Sequence, residues 1–117
     1  MIINKETHLL NIQLGFSEKF PHLKLEFFNN SHQKNELSSL STEIMKDLTL
    51  SQINPDFDSE KVLVLYNDEK VFDFEERMQK EFGLFVQVYR KSNNIWLQTS
   101  ATDDWTLNKQ EEIATQS

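Results

Sequence analysis

One hydrophobic pattern occurs twice in this chain of 117 residues. Ile2 to Phe27 read as a short apolar strand, an amphipathic helix and an alternating strand. Val62 to Tyr89 read the same way roughly sixty residues later, with apolar residues again at helical and then at strand spacing. Ile2-Ile3 falls over Val64-Leu65, and Leu9, Ile12, Phe16 and Phe20 fall over Val71, Phe74, Met78 and Phe82. After a slip of one residue, Leu23, Leu25 and Phe27 fall over Leu84, Val86 and Val88. Two β-α-β units in series predict the split arrangement of ferredoxin-like domains. That is an α+β two-layer sandwich, with two helices on one face of an antiparallel four-stranded sheet.

The periodicity divides the chain into a first β-α-β unit (1–28), an insert (29–60), a second unit (61–91) and a tail with a hairpin strand and short helix (92–117). Thr7 is expected to cap a helix running to Phe20, where Pro21 stops it. In the insert, Leu37, Leu40, Ile44 and Leu48 recur at helical spacing, while Leu50, Ile53 and Phe57 anchor the rest to the core. The run Val62-Leu63-Val64-Leu65-Tyr66 predicts a central strand covered on both faces. Asn67 or Asp68 is expected to cap the second helix, with Asp73–Arg77 and Glu76–Lys80 pairs outside it and Gly83 at its end. Leu84–Lys91 and Ile95–Thr99 predict a hairpin turning through Ser92-Asn93-Asn94, its second strand extending the sheet at an edge. Leu107–Ala114 predicts a last short helix.

A single domain of this length can bury roughly two thirds of its unfolded surface. There is no cysteine, so disulfides, thiolate metal sites and cysteine nucleophiles are excluded. Neither a signal peptide nor a long apolar segment is visible, and a cytoplasmic, bacterial-type protein without a membrane partner is expected. The formal net charge is −7, which opposes a nucleic-acid partner because that affinity comes largely from basic side chains. Nine acids lie between Asp56 and Glu81 against four bases: a solvated surface, or a patch that meets a basic protein.

No catalytic, metal or cofactor constellation emerges from the remaining residues. His8, His22 and His32 lack the spacing of a shared metal site. Asn54-Pro55-Asp56-Phe57-Asp58-Ser59-Glu60 imitates the start of a calcium loop, yet Ser59 and Leu65 stand where glycine and a bidentate glutamate are required. Asp103-Asp104 is read as the cap of the last helix; the rival reading is a metal-dependent hydrolase using Asp103, Asp104 or Asp56. With only Gly15 and Gly83, no phosphate-cradling loop can form.

The aromatics carry the one remaining signal. Phe28, Tyr89 and Trp96 have the opposite strand parity to the core, which points some of them to the open face of the sheet, and Trp105 pins the last helix. Without basic company such aromatics point to protein contact rather than to base stacking. The segments Phe82-Gly83-Leu84-Phe85-Val86-Gln87-Val88-Tyr89-Arg90-Lys91-Ser92, Trp96-Leu97 and Thr102-Asp103-Asp104-Trp105-Thr106-Leu107 resemble a family of small bacterial α+β proteins. Phe20 to Phe28 resembles that family more weakly, and the resemblance implies no activity. The expected function is a non-catalytic interaction module, self-associating as a homodimer or meeting another protein through Phe28, Tyr89, Trp96 and Trp105. The alternative to self-association is an acidic decoy for a basic, nucleic-acid-binding protein.

Overall fold

The computed structural model describes residues 1–28 and 48–116. Their order is β1 (Ile2–Ile3), α1 (Leu9–Lys19), β2 (Leu23–Phe27), α2 (Leu50–Ile53), β3 (Lys61–Val62), α3 (Val71–Phe82), β4 (Val86–Ser92), β5 (Ile95–Gln98), a 3-10 turn (Ser100–Thr102) and α4 (Leu107–Thr115). The helix expected from Leu37, Leu40 and Ile44 lies outside the described residues.

The chain is α+β, and all strand pairing among the described residues is antiparallel. Among the described residues the single four-stranded layer expected of a ferredoxin-like sandwich is not seen. Hydrogen bonding divides the described strands into a two-stranded sheet, β1-β3, and a three-stranded sheet, β2-β4-β5. Both long helices nevertheless turn their apolar stripes into one core: Leu9, Ile12 and Phe16 of α1 meet Val71, Phe74 and Met78 of α3. The Phe16 and Phe74 rings stack with centroids 5.4 Å apart. Leu23, Leu25, Phe27 and Val88 close this core from the three-stranded sheet, and Leu50 and Phe57 from the insert.

The pairing registers show why like strands of the two units meet. Leu25 corresponds to Val86 and Phe27 to Val88 in the repeat; the ladder joins Leu25 to Val88 and Phe27 to Val86, with the counterparts Glu26 and Gln87 facing each other between them. Each pair is thus the exchanged image of the other, as an internal two-fold axis requires. Met1 and Leu63, counterparts at the same spacing as the helices, exchange backbone hydrogen bonds of 2.9 and 2.7 Å.

The symmetry reaches further than the β-α-β units. The Leu9 N–H donates to Leu48 C=O and the Leu50 N–H to Thr7 C=O; in the second half, Val71 donates to Trp105 and Leu107 to Glu69. Leu48-Thr49-Leu50 and Trp105-Thr106-Leu107 are therefore equivalent segments, each binding the start of its own unit's long helix.

These contacts correct the expected caps. His8 and Lys70, not Thr7 and Asn67 or Asp68, precede the two long helices, and neither caps with its side chain. Carbonyls of the neighbouring segments take the free N–H groups instead, leaving the Thr7 hydroxyl to accept from Asn4. Thr106, not Asp103 or Asp104, caps α4, its hydroxyl accepting from the Lys109 N–H at 3.1 Å. Arg77 pairs with Glu69 at 2.8 Å and with Glu81 rather than with Asp73, while Lys80–Glu76 forms as expected.

The expected central strand over Val62–Tyr66 is also corrected. Its regular part is only Lys61–Val62, with Leu63 buried and Val62, Val64 and Tyr66 exposed. A two-stranded sheet has only the core to cover one face, so alternate residues remain outside.

Gly83 ends α3 with φ of 66°, in the left-handed region. A Cβ there would lie 2.3 Å from Asn54 Nδ2, which donates to Phe82 C=O. Gly83→Ala is expected to cost about 2 kcal/mol, combining left-handed backbone with the displaced Asn54 bond. Urea titration of the variant against the parent chain measures it.

Candidate interaction surface

The Asn93-Asn94 turn, with φ of 49° and 67°, sets β5 antiparallel beside β4. In such a two-residue hairpin the closing pair, here Ser92 and Ile95, exchanges hydrogen bonds, and bonded and unbonded pairs then alternate. Ile95 and Leu97 accordingly turn their backbone groups inward. Trp96 and Gln98 present theirs to the outer edge.

The helices pack over β2 and β4, so β5 overhangs the core. All four of its residues are exposed, with Ile95 at 60%, Trp96 at 36% and Leu97 at 40%. The strand carries no charge and no proline. Proteins usually protect edges with one or the other, because an open edge is a template for another strand.

Strand alternation places Tyr89 and Trp96 on the outer face of this sheet, where they hold one cation between them. Lys24 Nζ lies 5.4 Å from the Tyr89 ring, 4.9 Å from the Trp96 ring and 3.0 Å from Glu26 Oε1. Gln98 donates to the Tyr89 hydroxyl across the same face. Trp105 lies elsewhere: its ring stands 5.6 Å from the guanidinium of Arg90 and 4.4 Å from the ammonium of Lys109. Arg90 projects from β4 to the side opposite Tyr89 and donates to Gln110, which is buried and bonds Thr102. Trp105 thus belongs to the clamp that holds α4 against the sheet. Tyr89 and Trp96 come together on one surface, and Trp105 does not join them.

Phe28 lines a third feature. Where β5 stops, no strand of the described residues lies beside the edge of β4 over Val86–Val88, and a groove of about 490 Å³ opens there. Phe28, Phe72, Phe85 and Val86 form its apolar walls, with Glu75, Glu76, Gln79, Gln87 and Gln98 around them. The Val88 N–H, which a longer β5 would engage, donates instead to Glu75 Oε2 at 2.9 Å. Burial raises the Glu75 carboxyl to about 7; the Val88 hydrogen bond opposes that shift and the nearby Asp103 adds to it. Sequence reading did not single out Glu75. The available signal was the repeat itself, which sets Glu75 against the neutral Gln13.

Among the described residues no group of three or more histidines, aspartates or glutamates could hold a metal. None of their helices is long and apolar enough to cross a membrane. In the acidic stretch, Glu69, Glu76 and Glu81 are engaged by Arg77 and Lys80. Neither a family model, nor a curated protein, nor a solved structure matches the chain.

Proposed function

We propose that the chain is a non-catalytic interaction module that pairs with a second copy of itself through β5. The observation that carries this reading is the exposed Ile95-Trp96-Leu97-Gln98 edge, uncharged and without proline. Antiparallel addition of β5 to its own copy satisfies the outward backbone groups of Trp96 and Gln98 and forms a continuous sheet across a two-fold axis. Side chains of Ile95 and Leu97 on one face, and of Trp96 on the other, supply the apolar contact. Four residues of ladder make a small interface, so association is expected in the micromolar range rather than tighter.

Sedimentation equilibrium tests the reading. The 13.9 kDa chain is expected to reach twice that mass with a midpoint of tens of micromolar, a range typical of small interfaces. Gln98→Pro removes one outward N–H and leaves the inner ladder intact, so it should weaken pairing at least about tenfold, with an unchanged melting temperature. Raising the salt should change little, because no charge lies on the edge. A strict monomer at several hundred micromolar, or equal pairing by the proline variant, contradicts the proposal.

A further inference from the structure

We infer that the groove beside α3 binds a small organic ammonium ion, held between Glu75 and the rings of Phe28, Phe72 and Phe85. Its volume of about 490 Å³ lies within the range of small-ligand sites. Aromatic faces attract cations through their quadrupole, and more strongly when water is excluded. Nine of the described residues line the groove, two of them carboxylates and none of them basic. Glu76 is occupied by Lys80 at 2.6 Å, which leaves Glu75 as the lining carboxylate with no basic partner among the described residues.

In the other half of the internal repeat a neutral side chain takes this place. Gln13 is the counterpart of Glu75 on α1, and it also bonds the backbone of the sheet, donating to Leu25 C=O at 2.7 Å. A glutamine at position 75 would offer Val88 the same kind of oxygen acceptor. Instead the second half carries a carboxylate that burial makes costly to ionise. An ionisable carboxyl in an aromatic groove, where the other half of the repeat carries a neutral amide, points to a cationic occupant.

Among the described residues the charged groups around Glu75 are few. Asp103 approaches from beyond the 3-10 turn, Glu76 with its partner Lys80 shares the helix, and β4 contributes the Val88 N–H. Phe28 and Gln98, from the ends of β2 and β5, are uncharged.

The test is titration of the full chain with choline, followed by amide and aromatic NMR shifts. The neutral carbon isostere 3,3-dimethylbutanol and a lysine-containing peptide run beside it. Choline is expected to bind at pH 8, shifting Phe72, Glu75, Phe85 and Gln98. At pH 5.5 binding should be roughly 30-fold weaker, because the carboxyl is then protonated. Choline's own charge does not titrate. Glu75→Gln should lose at least tenfold in affinity, and Phe72→Ala, at an exposed position, several-fold while folding normally. Equal binding of the isostere, unchanged binding by Glu75→Gln, no shift with choline, or binding of the peptide alone would overturn the inference.

Discussion

Phe74→Ala is expected to lower the unfolding free energy by about 4 kcal/mol, within the range of large-to-small substitutions in tight cores. Phe74 is fully buried and stacks on Phe16, so alanine leaves a void between α1 and α3 that neither helix can close alone. For a domain of this size the melting temperature should fall by about 15 °C. The adjacent Phe72 is 53% exposed on the same helix, and its replacement by alanine should change stability by only about 0.5 kcal/mol. Thermal and urea denaturation of both variants provide the comparison. A loss below about 1 kcal/mol for Phe74→Ala would mean that the two halves do not share one core.

Glu75→Gln is expected to act in the opposite direction, stabilising the chain by about 2 kcal/mol at pH 8 and leaving it nearly unchanged at pH 4. The Glu75 carboxyl keeps its proton to about pH 7 in the folded chain, against an ordinary value of 4.5. Between those values the folded state binds more protons than the unfolded state. Stability contributed by this group is therefore full below about pH 4.5, falls as pH rises toward 7 and levels off above it. The interval corresponds to roughly 3 kcal/mol, and the partial access of water to the groove reduces it. Glutamine does not ionise and retains an acceptor for Val88. Urea midpoints of both chains from pH 4 to pH 8 should converge at the acid end and diverge at the alkaline end. Parallel profiles would show that Glu75 is not buried as described.

The duplicated apolar stripes were legible because both helices meet one core, so Leu9, Ile12, Phe16 and their counterparts carry strict helical spacing. The hairpin was legible for a local reason: Asn93 and Asn94 tolerate the positive φ that a two-residue turn demands. Sheet assembly was not legible, because strand partners are chosen by tertiary packing and the same two units could have formed one layer. Helix caps failed for a related cause. At Leu9 and Val71 the free N–H groups are taken by carbonyls of Leu48 and Trp105, far along the chain. Val62–Tyr66 misled because an unbroken apolar run does not reveal that only one of its faces will be covered.

The candidate surface was legible in part. Strand parity put Tyr89 and Trp96 on the outer face, but parity could not show that Lys24 lies between them, nor that Trp105 belongs to the α4 clamp. The groove escaped because its parts come from the end of β2, from α3, from the start of β4 and from the end of β5. Only the mismatch of Glu75 with Gln13 marked it in the sequence.

Hydrogen exchange at the Trp96 and Gln98 amides, followed by NMR as the chain concentration is raised, tests self-pairing through β5 most directly. Protection of both amides should grow with concentration, roughly fourfold between about 10 and 500 µM for a midpoint of tens of micromolar, while the Leu97 amide, already inside the ladder, changes far less. Fast, concentration-independent exchange at Trp96 and Gln98 alongside a protected Leu97 would contradict it.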